Sequence, residues 1–457
     1  MRLIAKFAKD VENSFEIVTV FDTKTQKETI DKNTPIALSI AHKYPSALWY
    51  ERKIFDDFGI VFTNSFDTRP LLHHERFPQD VHPLQKSFTA KTIEFTDFRP
   101  YKYKTVGGDG VFEVAVGPIH AGIIEPGHFQ FSQDGERMLH LDIRHFYTHR
   151  GIEKMVQNKS LLDARAIVGR ISGNESVAYQ TAYMDIISQA SNTALPVEIK
   201  SYHALLLEFE RLIHHVSDIG FIPNDAGFSA ALSFASRLAE DSRRIFKQLT
   251  GHRFGFDAVS FKIPNFNHQE FLNFLNELHK EIKWFETWIK GVPSLWDRFD
   301  TTGILTHTKA VKYDSVGVMA RASGVALDRR DNDFYKQHGF KIALQTSGDV
   351  AARFSLRIME IYNSIEMMKS LLQDIKPLHV EVPAKFNNGS YQTFIESSIG
   401  ELFMSVDVSG GLIDRFFVRD PSHVNWQVVH AMMLKDIIAD FPLINKSCDL
   451  SYAGNDL

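Results

Sequence analysis

The chain has one cysteine, Cys448, in 457 residues. One thiol cannot form an internal disulfide, and it cannot supply the thiolate sets that hold zinc or iron–sulfur clusters. The fold therefore has to be stabilised by the burial of apolar side chains. The composition permits this, since 44% of the residues are hydrophobic and 23% are charged, as in a large globular protein. The length predicts two domains, or one large domain with an attached module.

Charge and motif content exclude several classes of function. The net charge is −5, so the chain lacks the basic excess of a nucleic-acid-binding protein or a polybasic membrane anchor. Charges interrupt every long apolar run, so we expect neither a signal peptide nor direct transmembrane insertion. The glycine motifs of dinucleotide-binding and phosphate-binding loops are missing as well. Any association with a membrane would depend on partner subunits.

Residues 1–95 are predicted to form an α+β module. Within it, Ala47–Phe62 has a helical period followed by a short apolar run, and Gly59 fits the C-cap of that helix. The next residues are polar and rich in proline, which is typical of a connection between domains. We assign the linker to residues 96–110.

Residues 111–457 are predicted to form a larger domain that is mostly helical. The turn pair Asp134-Gly135, followed by alternating apolar residues, indicates a β-hairpin. The clearest helix covers residues 348–375, where apolar residues recur every three or four positions. We expect a second hairpin around Ser409-Gly410-Gly411 and a final helix from about Val424 to Asp440. The predicted fold class is therefore α+β: a small α+β module fused to a large α-helical domain with small peripheral β-hairpins.

Several collinear segments carry a family resemblance. In the first module, the segments ALWYERKIFDDFGIVF, DTRPLL and HPLQK resemble the subunit of respiratory complex I that docks against its quinone-site subunit. In the second domain, the matching segments are VGPIHAGIIEPGHFQF, YTHRGIEK, LEFERLIHHVSDIG, VMARASGVALDRR, GDVAARFSLR, VRDPS and DLSYAGNDL. These resemble the large subunit of group 4 membrane-bound nickel–iron hydrogenases, which are relatives of that quinone-site subunit. The fused order is similar to the large subunit of formate-hydrogenlyase-type hydrogenases, and the fold expected from it is a hydrogenase-large-subunit-like domain.

The resemblance also locates the positions that would hold nickel and iron. Family members bind these metals through two Cys-x-x-Cys pairs, which correspond here to Ser172 and Glu175 and to Ser451 and Gly454. A serine hydroxyl is a poor ligand near neutral pH, glycine offers no side chain, and a carboxylate suits harder ions or proton transfer. We therefore predict a degenerate site, no metal in this chain and no hydrogenase activity.

A quinone site of the complex I type is an alternative that the resemblance leaves open. In complex I the quinone headgroup lies between a loop histidine and a tyrosine. His120 and His128 occupy the loop here, but the tyrosine position falls on Leu161, which cannot donate a hydrogen bond. The candidate substitutes are Tyr179, Tyr183 and Tyr452. The sequence does not choose among them.

The resemblance gathers further ionisable residues around one cleft. We assign a proton relay or an acceptor cleft to four of them: His120, His128, Glu153 and Asp163. Residues that support the cleft are Arg321, Asp420 and Asp449, with Glu125 and Glu175 close by. A plainer interpretation is that the loop histidines are polar surface and that the charged residues only hold the fold. In that case Arg150 and Glu153 form a helix-start ion pair, and Arg321, Asp328 and Arg330 form a solvated cluster.

Three functional hypotheses follow. The first is a non-hydrogenase subunit of a membrane-bound complex, which takes part in electron transfer to quinone or another acceptor, coupled to ion translocation. The second is a non-catalytic scaffold that joins an iron–sulfur subunit to the membrane arm, so the sequence leaves open whether the chain is an enzyme. The third is an unusual metal site of Glu175, Asp449 and histidines.

The resemblance also implies partners and a location. The expected partners are an iron–sulfur small subunit, similar to the cluster-carrying subunit of complex I, and antiporter-like membrane subunits. The iron–sulfur cluster would belong to the partner, and no cofactor is expected in this chain itself. The implied location is the cytoplasmic side of the inner (plasma) membrane, as a peripheral subunit.

Overall fold

The N-terminal region is built on a three-stranded antiparallel sheet. A computed structural model describes residues 1–89, 92–120, 124–434 and 436–457. The strands of this sheet are β1 Leu3–Val11, β2 Ser14–Phe21 and β3 Thr25–Asp31, in that order. Helix α1, Ala47–Phe58, packs on β1, and a short parallel pair joins β4, Ile36–Leu38, to β5, Val61–Thr63. The predicted helix is confirmed, and Gly59 ends it in the left-handed conformation with φ 77°.

A long irregular segment connects β5 to the second domain. Its described residues between Thr63 and Val111 contain neither helix nor strand. The carboxylate of Asp56 in α1 accepts the backbone N–H groups of Leu71 and Leu72, at 2.7 Å each. Burial raises the pKa of Asp56 to about 6, against the effect of these two donors. The bonds hold the start of the segment against α1.

The second domain begins with another antiparallel sheet. Its strands are β6 Val111–Val116, β7 His128–Asp134 and β8 Arg137–Arg144, in that order. Asp134 pairs with Arg137 across the turn, which confirms the predicted hairpin. Asp142, on the face of β8 that the sequence pattern makes polar, is buried and pairs with Arg69 of the irregular segment at 2.6 Å. The polar side chains of this strand are therefore partly buried, and the strand does not present a simple apolar and polar face.

A helical core follows this sheet. Its helices are α2 Ile152–Val156, α3 Arg165–Val168, α4 Ser176–Ser191, α5 Val197–Asp225, α6 Ser229–Thr250, α7 His268–Lys290, α8 Pro293–Phe299, α9 His307–Lys312, α10 Gly317–Ala322, α11 Asp333–Gln337 and α12 Val350–Leu371. A short antiparallel pair joins β9 Lys262–Ile263 to β10 Leu378–His379. Helix α5 packs against both α6 and α12 and buries a continuous apolar core. Helix α12 confirms the predicted helix, and Asp349 caps it by accepting the N–H of Ala352 at 2.8 Å. Within the described ranges, no helix is long and apolar enough to cross a bilayer.

The C-terminal part contains a third antiparallel sheet and the last helices. These elements are β11 Gly389–Glu396, β12 Glu401–Ser409, β13 Leu412–Arg419, α13 Pro421–Met433, α14 Phe441–Cys448 and α15 Tyr452–Asp456, with a 3-10 turn at Ile438–Asp440. The pairing of β12 with β13 confirms the predicted hairpin. The bounds predicted for the final helix are wrong. Helix α13 starts earlier, because Asp420 caps it by accepting the N–H of Ser422 at 2.7 Å. It ends at Met433, and a separate helix then begins with Pro442 in its first turn.

The N-terminal region packs directly on the last sheet. Phe7 of β1 stacks on Phe417 of β13 with 4.4 Å between ring centroids. Arg2 donates two hydrogen bonds to the carboxylate of Glu401, at 2.9 and 2.7 Å. The α+β fold class is confirmed. The domain boundaries at 95 and 111 stay predictions.

Candidate functional site

The two segments that correspond to the hydrogenase ligand pairs meet in the structure. Ser172 lies in the loop between α3 and α4, and Ser451 lies at the start of α15. Their hydroxyl oxygens are buried and 3.2 Å apart, although 279 positions separate the residues. Ser451 caps α15 by accepting the N–H of Gly454 at 2.8 Å. Its own N–H donates to Ser422 Oγ at 2.9 Å. The tertiary structure therefore brings both motifs to one place.

Two carboxyl groups, Glu175 and Asp420, belong to the same site, and we call them the acid pair. They are 0% and 1% exposed, and they are close enough for the charge of Asp420 to raise the pKa of Glu175. Asp420 accepts from the Tyr179 hydroxyl at 2.5 Å and from the N–H of Ser422 at 2.7 Å. Among the described residues, Glu175 Oε2 has no donor. Because two ionised carboxylates repel each other at such a contact, we expect the pair to share one proton.

The electrostatics of the site favour stored protons. Burial raises the pKa of Glu175 well above its ordinary value, and the charge of Asp420 raises it further. Burial also raises the pKa of Tyr179 well above its usual range, and the charges of Asp420 and Glu175 add to this effect. The Tyr179 phenol therefore stays protonated and donates to Asp420. At neutral pH the acid pair can hold a proton and release it when the local charge changes.

The space that a ligand side chain would need at Gly454 is already occupied. A Cβ atom at this position would lie 2.2 Å from Asp420 Oδ2 and 3.0 Å from Ser451 Oγ. The Asp420 carboxylate thus occupies the space that a side chain at 454 would need. The donors around this space are hydroxyl and carboxyl oxygens, whereas a thiolate-bridged nickel–iron centre needs soft sulfur ligands. The residues present do not fit such a centre.

His120 lies in the loop between β6 and β7, and His128 is the first residue of β7. His120 Nε2 is 2.7 Å from the carbonyl oxygen of Gly127, and both ring nitrogens of His128 have local partners at 3.2 and 3.3 Å. Residues 121–123 of the same loop lie outside the described residues. Glu125 accepts the N–H of Ala453 at 2.9 Å. The loop therefore contacts the segment that carries Ser451, and its histidines hold the loop conformation.

Glu153 lies at the junction of the two regions. Its Oε2 is 3.2 Å from Lys53 Nζ of α1 and 3.0 Å from an Arg415 nitrogen of β13. No hydrogen bond or ion pair in the described part of the chain joins it to the acid pair. The helix-start ion pair with Arg150 is not formed, because Arg150 donates to the carbonyl oxygen of Ile171 at 2.6 Å. Glu153 therefore acts in this structure as an ionic link between the regions.

Asp163 and Asp449 also lie apart from the acid pair. Asp163 is exposed and accepts from Ser160 Oγ at 2.7 Å, because the turn before α3 directs it to solvent. Asp449 pairs with Lys446 at 2.5 Å. Over the described ranges, no group of three or more histidine, cysteine or acidic side chains could hold a metal ion. The hypothesis of a metal site built from Glu175, Asp449 and histidines therefore has no support in the geometry.

Arg321 belongs to a buried charge network in the helical core. Its guanidinium pairs with Asp328 at 3.1 Å, Glu360 at 2.8 Å and Glu396 at 2.6 Å. Arg330 pairs with Asp328 at 2.7 Å. All of these side chains are buried, so the interpretation as a solvated cluster is wrong. Buried charges of this kind persist only when they are paired, and the network holds the helices together.

The three candidate tyrosines differ in their surroundings. Tyr183 donates to the carbonyl oxygen of Leu161 at 2.9 Å, and Tyr179 donates to Asp420. The hydroxyl of Tyr452 makes no hydrogen bond of standard geometry with the described residues. The position of Tyr179 beside the acid pair could have been predicted from the sequence. Tyr179 follows Glu175 by four residues, and residues four apart on a helix share a face.

Glu210 is a site residue that the sequence patterns did not reveal. It lies on α5, and its carboxylate accepts the N–H groups of Val177 and Ala178 in the first turn of α4, at 2.7 and 3.0 Å. It therefore replaces the missing side-chain cap of that helix. No local pattern connects Glu210 to the motif at Ser172, because the contact joins two helices.

Comparison with known proteins agrees with this architecture. Residues 2–94 match the family described as the 30 Kd subunit of respiratory-chain NADH dehydrogenase, and residues 225–386 match its 49 Kd subunit. Formate hydrogenlyase subunit 5 of Escherichia coli (strain K12) is 27% identical over 452 residues, which cover 94% of this chain and 79% of the relative. Hydrogenase-4 component G of the same organism is 26% identical and covers 94% of this chain and 77% of the relative.

A solved structure shares the fold. It comes from the membrane-bound sulfane sulfur reductase, an archaeal respiratory membrane complex, with a TM-score of 0.69 at 21% identity. The match covers 76% of this chain and 99% of that one. This match shows that the fold is a known one, and it agrees with the two family matches. The chain combines a 30 Kd-type region with a 49 Kd-type region of respiratory-chain NADH dehydrogenase, and it is similar over most of its length to subunits of formate hydrogenlyase and hydrogenase-4.

Proposed function

We propose that this chain is a non-hydrogenase large subunit of a membrane-bound energy-converting complex. In this proposal an iron–sulfur partner delivers electrons to an acceptor, which is reduced without nickel. Antiporter-like subunits move ions across the membrane. Two observations support this proposal most strongly. The hydroxyl oxygens of Ser172 and Ser451 are 3.2 Å apart, and Asp420 fills the space beside Gly454. The acid pair thus lies at the site formed by the positions that correspond to the metal ligands.

The acid pair supports a role in proton transfer. Glu175 and Asp420 share a proton in a buried site, and Tyr179 holds the orientation of Asp420 from one side. Reduction of most acceptors consumes protons, so a proton store next to the old metal site matches that chemistry. Of the three tyrosines that could donate to a quinone as in complex I, Tyr179 and Tyr183 already donate to protein oxygens, which leaves only Tyr452 for that role.

A partner surface is supported by exposed apolar side chains. Phe95 and Phe98 are 67% and 66% exposed and line a cavity of about 430 Å³ together with His73 and His149. Exposed aromatic residues around a cavity are typical of an interaction surface. We propose that the iron–sulfur partner packs on this face, at the cytoplasmic side of the membrane.

The test is to isolate the complex anaerobically with its partners and to measure nickel and iron per copy of the chain by mass spectrometry. We expect nickel near zero and iron accounted for by clusters in the partner. A screen with quinones, polysulfide and ferredoxin then identifies the redox partner. Stoichiometric nickel would overturn the proposal, and an absence of turnover with all of these partners would count against electron transfer.

A scaffold function is the second candidate, and the ion pairs of Glu153 favour it. This residue and the network around Arg321 act within the fold, as a scaffold requires. Glu175→Gln separates the two functions, with the exposed Glu277→Gln as control. If the Glu175→Gln complex assembles and turns over at the wild-type rate, the acid pair has no part in the reaction and the scaffold function is correct.

A further inference from the structure

We propose that a crevice between α5 and α6 admits protons to the acid pair, and that Glu210 is the group that passes them on. This inference rests on the proposed proton-transfer function of the acid pair. It assigns a further task to a buried carboxyl group that also caps α4.

The crevice opens beside the loop that carries Ser172. It is lined by Gly173, Asn174, Glu210, His214, Arg243 and Arg253, with apolar side chains around them. Its volume of about 30 Å³ has room for at least one water molecule. Asn174 at the mouth is exposed, whereas Glu210 is 5% exposed. Water in the crevice therefore reaches Glu210 while the acid pair stays enclosed.

Glu210 is suited to exchange protons. Burial raises its pKa to about 8, and the N–H groups of Val177 and Ala178 oppose this rise. A group that titrates near neutral pH is populated in both forms and transfers protons efficiently. Burial lowers the pKa of the neighbouring His214 to about 4, so its neutral ring can accept a proton on one nitrogen and donate from the other.

Glu210 also lies next to Glu175. Glu175 precedes α4, and Glu210 bonds the N–H groups of the first turn of the same helix. Val177 and Ala178 are the second and third residues after Glu175, so the Glu175 and Glu210 carboxyl groups lie at the same helix start. No hydrogen bond joins these two described side chains, so transfer between them needs a bridging water.

The step involves one proton and no electrons. Once the acid pair has given up its proton, a proton from bulk solvent passes along the crevice water to the ionised Glu210 carboxylate. The resulting acid then donates through a bridging water to the acid pair. Glu210 returns to its ionised form, and the proton now lies between Glu175 and Asp420. The charge of Arg211 favours the ionised form of Glu210 throughout.

Infrared spectroscopy of the whole complex tests the route without an activity assay. A protonated buried carboxyl group gives a carbonyl band that shifts in D₂O, and Glu175→Gln identifies the band of the acid pair by removing it. The rate of the shift after mixing with D₂O reports proton access. We expect Glu210→Gln to slow the shift about tenfold or more, and the exposed Glu277→Gln to leave it unchanged.

A second variant keeps the test independent of the cap that Glu210 provides. Asn174→Trp fills the mouth of the crevice with an exposed side chain, and we expect it to slow the shift by a similar factor. Wild-type exchange in both variants would overturn the route while leaving the proton store intact. A wild-type complex without the band would overturn the proton store itself, and with it the proposed proton-transfer function.

Discussion

Gly454→Ala is the substitution that tests the geometry of the site most directly. The new Cβ would stand 2.2 Å from Asp420 Oδ2 and 2.7 Å from Asp420 Cγ. Since carbon and oxygen atoms do not approach so closely, the carboxylate must move. That movement would disturb its bonds with the Tyr179 hydroxyl and the Ser422 N–H, at 2.5 and 2.7 Å.

The magnitude follows from two contributions. Overpacking a buried site costs about 1–3 kcal/mol. A buried donor left without its acceptor costs about 1–3 kcal/mol more. We therefore expect a loss of roughly 2–6 kcal/mol in the free energy of unfolding. With an unfolding entropy near 2.1 cal/mol/K per residue over 457 residues, this lowers the Tm by roughly 2–6 °C.

The assay is thermal unfolding with Gly173→Ala as the matched control. Gly173 lies in the other ligand motif, and a Cβ there meets nothing within 4 Å. The control should therefore change the Tm by less than about 1 °C. If Gly454→Ala and Gly173→Ala both melt at the wild-type temperature, the carboxylate does not occupy this space and a fourth ligand would have room there.

A double-mutant cycle adds a second check. In an Asp420→Ala background the clash is gone, so Gly454→Ala should cost much less than it does in the wild type. Equal costs in both backgrounds would show that some other atom opposes the new methyl group.

Three other outcomes follow from the same structure. Glu153→Gln removes one partner of a buried ionic link with Lys53 and Arg415 and should destabilise the chain by about 3–5 kcal/mol in urea unfolding; a loss as small as that of the exposed Glu277→Gln would contradict it. Tyr179→Phe removes the donor to Asp420 and should cost about 1–3 kcal/mol in the same assay, and an unchanged midpoint would refute the bond. Burial lowers the pKa of His145 to about 3, so the unfolded state binds its proton first and stability falls as the pH drops from 6.5 towards 3. His145→Phe should reduce that slope by about 1.4 kcal/mol per pH unit, and an unaltered slope would show that His145 is not buried in its neutral form.

The resemblance predicted the four ligand positions, and only the structure showed what fills them. Serine, glutamate and glycine cannot replace thiolate ligands of nickel and iron whatever the fold, so the loss of the thiolates was readable from Ser172, Glu175, Ser451 and Gly454. The contact of Asp420 with Glu175 was not readable, because the two residues are far apart in the chain and belong to different helix starts.

Local patterns could be predicted from short stretches of sequence. The period of α12, the glycine after α1 and the turn at Asp134-Gly135 each act over a few residues, so propensity and spacing predicted them. The start of α13 was missed although its signal is local, because Asp420 accepts the N–H of Ser422 only two residues on and Pro421 follows the cap.

The residue types alone established the α+β fold class and the absence of cysteine at the positions that correspond to metal ligands. The choice of which ionisable groups act together came from the tertiary packing. Glu153, Asp163, Arg321 and Asp449 were grouped in one cleft by resemblance, yet each has its own partner elsewhere. The physical reason is that the pairing of a buried charge depends on which side chains pack around it, and packing joins residues from every part of the chain.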